Sequence, residues 1–140
     1  MTVRDILERK GATVHCIAPT SNLIEAAQVM MQHRIGCLVV ACGESVVGIF
    51  TERDLLRLAA QGQPLQEVRV EQAMTRDVIT GSPDQPVAEV MGVLTEKRIR
   101  HLPIVENGRL IGMISIGDVV KFQYDALQFE NHFLKSYIVG

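Results

Sequence analysis

Gly48-Ile-Phe-Thr51-Glu-Arg-Asp54 recurs as Gly112-Met-Ile-Ser115-Ile-Gly-Asp118, and the reading of this recurrence decides the fold. The offset is 64 residues at each shared position: Gly48 to Gly112, Thr51 to Ser115, Asp54 to Asp118. Upstream the same offset pairs Pro19 with Pro83, Glu25 with Glu89, Arg34 with Arg98, Ile35 with Ile99 and Leu38 with Leu102. Self-similarity at one fixed period means one supersecondary unit used twice. Two copies of a hydroxyl residue and a carboxylate three apart predict a pseudo-symmetric pair of sites.

Working outward, the order of elements can be read in each half. In the first, Val14-His-Cys-Ile17 reads as a strand and Ala-Pro19-Thr-Ser-Asn22 as a breaker. Leu23, Ala26, Ala27, Met30 and Met31 then form the apolar stripe of an amphipathic helix, capped by Ser21 or Asn22. Cys37–Ala41 and Val46–Phe50 make a hairpin, and Thr51 starts a helix bearing Leu55, Leu56, Leu58 and Ala59. The second half repeats this with a strand near Val78–Thr80, a helix from Val87 to about Arg98, and a hairpin turning at Asn107-Gly108. A short helix precedes each first strand, at Val3–Leu7 and Val70–Met74. The expected unit is therefore αβαββα, an α+β pattern. Unit 1 is expected over residues 1–62, unit 2 over 68–124 and a helical tail over 125–140, with Gly62-Gln-Pro64-Leu-Gln as linker.

Composition narrows the function classes. Of 140 residues, 14 are basic and 16 acidic, for a net charge of −2 without a long basic run, which argues against nucleic acid as partner. Four Phe, two Tyr and no Trp leave little for base stacking. Halves of about 60 residues bury little core alone and should pack on each other. The charged start lacks a signal-peptide core, and nowhere do about 18 apolar residues run together, so the expectation is a soluble, cytoplasmic, non-membrane protein. Cys16, Cys37 and Cys42 adjoin apolar runs and are expected as buried, reduced thiols.

Catalysis finds little support. His15 and Cys16 are adjacent in a strand and point to opposite faces. Cys37 and His101 occupy matching corners, but no third orienting group is evident. Cys16, Cys37, Cys42 and His33 lack the paired spacing of a zinc site. Gly112 to Gly117 lacks the Lys-Ser/Thr of a P-loop, and there is no GxGxxG. No catalytic or metal-binding residue is expected.

The duplicated Gly-x-x-(Ser/Thr)-x-x-Asp signature, set in a repeated αβαββα unit, resembles a tandem pair of CBS domains (a Bateman module). The likeness runs from Val3 to about Tyr124. It extends to a bacterial subset in which the pair is the whole protein, through Thr51-Glu-Arg-Asp54, Thr95-Glu-Lys-Arg98, Arg100-His-Leu-Pro103 and a C-terminal helix. The resemblance implies two units packed sheet to sheet and a non-catalytic regulatory module that binds AMP, ADP, ATP or NAD and senses cellular energy or redox state. It also implies a homodimer, commonly disk-like, with an effector protein as reader.

Each signature also matches a capping box, in which hydroxyl and carboxylate satisfy each other's backbone amides at a helix start. The pair favours a further use. A helix N-terminus offers amides to phosphate, and a carboxylate there can accept from two ribose hydroxyls. In the family the Asp holds ribose and the Ser or Thr assists. For the Asp118 site the resemblance implies Ser115, Gly117 and Asp118, with Arg100 and His101 toward phosphate, Leu102 in the same set, Met113 beneath, and Thr13, Val14 and His15 from the other half. For the Asp54 site it implies Thr51, Arg53 and Asp54, with Ile35, Gly36 and Ile49, and Asp77, Val78 and Ile79 from the other half. Gly36-Cys37 faces Arg100-His101 in the repeat, and Gly117 faces Arg53, so the Asp118 site is expected to bind more tightly. The alternative to a sensor is a constitutive interaction or oligomerisation module with vestigial clefts. Val120, Tyr124, Leu127, Phe133, Leu134 and Ile138 make the tail an amphipathic helix, broken near Asn131, that covers the core or forms a dimer contact.

Overall fold

The computed structural model describes residues 1–139; Gly140 and the side chain of Ile138, both assigned to the tail, lie outside the described residues. The elements are α1 (Val3–Lys10), β1 (Cys16–Ile17), α2 (Leu23–His33), β2 (Cys37–Cys42), β3 (Ser45–Thr51), α3 (Glu52–Ala60), α4 (Val70–Ala73), α5 (Val87–Glu96), β4 (His101–Glu106), β5 (Arg109–Ser115) and α6 (Ile116–Val139). They build an α+β molecule with two small sheets, ordered β1-β2-β3 and β4-β5.

The repeat is visible in the backbone. Asn22 Oδ1 accepts from Glu25 N at 2.9 Å and caps α2. Arg34 and Arg98, 64 apart, both adopt φ 54° where α2 and α5 end. The two hairpins carry register shifts at matching places, Val40/Ala41 and Ile104/Val105. Asn107 (φ 54°) and Gly108 (φ 77°) form the left-handed pair of a tight hairpin turn.

One strand is missing from the repeat. In the first half β1 pairs in parallel with β2, and Val39 N donates to His15 O at 3.1 Å. The residue matching Val39 is Pro103, which has no N–H to donate. The strand expected at Val78–Thr80 therefore shrinks to a single bridge between Gly81 and Ile104.

The packing exchanges helices between the halves. Val3, Ile6 and Leu7 of α1 join Val87, Val90, Leu94, Leu102, Ile104 and Ile114 in the second core. Val70 and Ala73 of α4 join Ile17, Leu23, Leu38 and Phe50 in the first. The backbone contacts are reciprocal. Val3 N donates to Gln85 O and Arg4 N to Pro83 O, while Val70 N donates to Ser21 O and Glu71 N to Pro19 O. In these helices the match is Val3 with Val70 and Leu7 with Met74, so the offset is 67 rather than 64. The constant offset holds only from Pro19 onward; the first connection is three residues longer than the second.

Two further expectations are corrected. Cys37 is buried, but Cys16 and Cys42 are exposed, because Cys16 lies on the face opposite Ile17 and Cys42 ends its strand at the turn. Helix α6 runs unbroken from Ile116 through Asn131 to Val139, so the tail is continuous with the helix of the second signature. Among the described residues no helix is long and apolar enough to cross a membrane.

Candidate functional site

Both signatures form the local structure that their residue types demand. In the first, Thr51 Oγ1 accepts from Asp54 N at 3.3 Å, and Asp54 Oδ2 accepts from Thr51 N and from Thr51 Oγ1, each at 3.0 Å. In the second, Ser115 Oγ accepts from Asp118 N at 3.0 Å and Asp118 Oδ2 from Ser115 N at 2.8 Å. The two carboxylates thus sit alike at helix starts. Beyond that they differ.

Asp54 is closed in. It is 7% exposed, and Arg57, one turn along α3, places its guanidinium 3.4 Å from Oδ1. Asp118 instead opens onto a cavity of ≈ 320 Å³. Its hydrogen bonds among the described residues all fall on Oδ2, which leaves Oδ1 as a free acceptor. The cavity gathers Thr13, Val14, His15, His101, Met113, Ser115 and Asp118 of the expected set. It also gathers Ile35 and Gly36, which the sequence reading assigned to the Asp54 site, together with Arg34 and Cys37. Arg100, Leu102 and Gly117 lie outside it: Arg100 and Gly117 are exposed, and Leu102 is buried in the second core.

Part of the expected Asp54 set is contiguous: Cys37 pairs with Thr51 across the hairpin, and Glu52 N donates to Gly36 O at 2.9 Å, which sets Gly36 beside Thr51. Ile49 exchanges backbone hydrogen bonds with Thr75, each 2.9 Å, and Ile79 packs on the second core. Asp77 and Arg53 are exposed, Val78 is half-buried, and no hydrogen bond or ion pair among the described residues ties Asp77, Val78 or Ile79 to Asp54. Thr75, at the start of the shorter second connection, lies along β3 through its bridge to Ile49.

Lys10 is the residue that sequence reasoning missed. From the last turn of α1 its Nζ lies 2.6 Å from Asp118 Oδ2 and donates to Met113 O at 2.7 Å. Burial pushes the Asp118 carboxyl up, but the Lys10 and Ser115 hydrogen bonds and the Lys10 charge outweigh it and hold the group below its ordinary value. The contact follows from the packing: with α1 exchanged into the second half, its C-terminal end abuts that half's site.

The remaining electrostatics favour an anion. Lys10 and Arg34 line the cavity against one acid, Asp118, and the rings of His15 and His101 add hydrogen-bonding nitrogens. Burial lowers the His101 pKa, opposed by Asp118, so the ring is predominantly neutral at pH 7 and can donate one hydrogen bond. His15 stacks on His33 of α2, with ring centroids 3.9 Å apart. Burial, with Asp54 adding to it, pushes the Cys37 thiol up to about 12, which makes it an apolar wall rather than a nucleophile.

The signature glycines serve the helix exchange. A Cβ on Gly112 would lie 2.6 Å from Leu7 Cδ2 of α1. One on Gly48 would strike Met74 Sδ and lie 2.9 Å from Thr75 O. These glycines admit a neighbouring helix, not a ligand.

A family model described as CBS domain matches residues 3–61 and 70–125. The CBS-domain protein ATU1752 from Agrobacterium tumefaciens is similar in structure at 42% identity and TM-score 0.83, over 88% of this chain and 99% of that one. The CBS domain pair of protein MJ0100, solved with 5-methylthioadenosine and S-adenosyl-L-methionine, matches at 27% identity and TM-score 0.78, over 90% and 98%. The CBS domain protein PAE2072 from Pyrobaculum aerophilum, complexed with AMP, matches at 25% identity and TM-score 0.77, over 84% and 89%.

Proposed function

The chain belongs to the CBS-domain family as a tandem pair, and from that premise we propose a non-catalytic regulatory module that binds a phosphorylated adenosine in the Asp118 cavity. The observation that carries this reading is the cavity's polar arrangement. A free carboxylate oxygen suits vicinal ribose hydroxyls, and Lys10 and Arg34 supply cations for phosphate. The volume of ≈ 320 Å³ lies at the lower end of ligand pockets. AMP, ADP, ATP and NAD share the required parts, and their levels would report energy or redox state. Because the cavity lies between residues of both halves, a ligand would bias their packing, and an effector protein would read the change through differential affinity. Two copies of the chain would pair.

The Asp118 site takes precedence over Asp54, whose carboxylate is already engaged by Thr51 and Arg57. One observation favours the second reading, a constitutive interaction module: Lys10 neutralises Asp118 without any ligand. Thermal unfolding with AMP, ADP, ATP, NAD and S-adenosyl-L-methionine decides between them. A ligand at 100 times its dissociation constant should stabilise the fold by about 2.7 kcal/mol. Asp118→Ala should abolish that shift and Asp54→Ala should leave most of it. No shift with any adenosine ligand rejects the sensor; loss through Asp54→Ala alone reverses the site ranking.

A further inference from the structure

Helix α6 leaves the body of the protein. Val119 and Phe122 are buried in the second core and Ala126 is half-buried, but every residue from Leu127 to Ser136 is exposed. From Leu127 to Ser136 the helix projects by about 14 Å. A projecting helix of that length is marginal in water without packing. Yet Val120, Tyr124, Leu127 and Leu134 are 46–59% exposed.

The spacing of these residues specifies what covers them. Val120, Tyr124, Leu127, Asn131 and Leu134 follow one another at intervals of four and three, and Ile138 continues the row in the sequence. This is a heptad seam with Tyr124, Asn131 and Ile138 at the first core position and Val120, Leu127 and Leu134 at the second. A lone Asn at the first position favours two parallel strands, where it meets its own copy; in antiparallel alignment it would face a leucine. Flanking charges agree. In a parallel in-register pair Glu130 of one copy faces Lys135 of the other, whereas antiparallel pairing would bring Lys121 toward Lys135.

The opposite face does not suit self-pairing. There Phe122, Ala126, Phe129 and Phe133 form a second row, but parallel pairing along it would set Asp125 against Glu130. We propose that α6 forms a parallel, in-register two-stranded coiled coil with a second copy of this chain through Val120, Tyr124, Leu127, Asn131 and Leu134. It rests on the reading that two copies pair, and places that pairing on the projecting helix.

Sedimentation equilibrium of the full chain tests it. The mass should be twice 15.5 kDa. Leu127→Glu with Leu134→Glu should give monomer that keeps most of its helical circular dichroism, whereas Phe129→Glu with Phe133→Glu should stay dimeric. Glu130→Lys should weaken the dimer, and adding Lys135→Glu should restore it. With Cys16 and Cys42 replaced by Ser, Asn131→Cys should form an interchain disulfide on oxidation. A monomeric wild-type chain overturns both the pairing and the coiled coil. A dimer that survives the double leucine variant leaves pairing intact and overturns the coiled coil; a trimer or tetramer, or no cross-link at position 131, overturns the parallel two-stranded form.

Discussion

At the scale of single residues, the two aspartates show how one local motif acquires two characters. Their capping geometry was legible in the sequence, because a hydroxyl and a carboxylate three apart satisfy each other wherever a helix starts. Their surroundings were not. Arg57 reaches Asp54 along its own helix, but Lys10 reaches Asp118 across 108 residues of chain, a contact that only the packing of α1 creates. The Lys10 pairing makes a pH prediction. The Asp118 pKa is depressed in the folded state, so the unfolded chain binds the proton more readily. The resulting stabilisation is present above the ordinary value of 3.8 and is lost as pH falls through and below it. Between about pH 5 and pH 2, wild type should lose stability more steeply than Lys10→Met in urea titrations at stepped pH. Equal slopes would show that the pair contributes nothing.

At the scale of elements, periodicity located the helices and the hairpins, since those signals are local. It overestimated the strand at Val78–Thr80, where the pattern of side chains is right but Pro103 on the neighbouring strand withholds the N–H that pairing needs. A strand is a relation between two segments, and inspection of one cannot reveal a defect in the other. The offset of 64 likewise concealed the three-residue difference between the connections, because α1 and α4 are too short to betray their register by themselves. The glycines of β3 and β5 carry a testable asymmetry. Beside Gly112 the obstacle is the leucine side chain of α1, which can rotate; beside Gly48 it includes the Thr75 carbonyl, held by the Ile49 bridge. Gly48→Ala should therefore destabilise by about 1–3 kcal/mol and Gly112→Ala by less, measured by chemical denaturation. The opposite order would mean that α4 yields more easily than α1.

At the scale of the whole molecule, the two halves are equal in sequence pattern yet neither core is complete without a helix from the other. Duplication was plain from the repeat, and with it the fold class. The exchange of α1 and α4 was not, since both helices stand immediately before the half to which sequence order assigns them. Unfolding one half removes Val3, Ile6 and Leu7, or Val70 and Ala73, from the other. Thermal unfolding should therefore be a single transition with equal calorimetric and van't Hoff enthalpies; two resolved transitions would contradict the interlock. The reciprocal docking of Val3 and Arg4 on Pro83 and Gln85, and of Val70 and Glu71 on Pro19 and Ser21, also bears on ancestry. A lone copy of the repeat could satisfy those contacts only by trading its first helix with a second chain. A single-unit ancestor that kept this docking would have been a helix-swapped homodimer, and carrying both copies on one chain makes the same assembly independent of concentration.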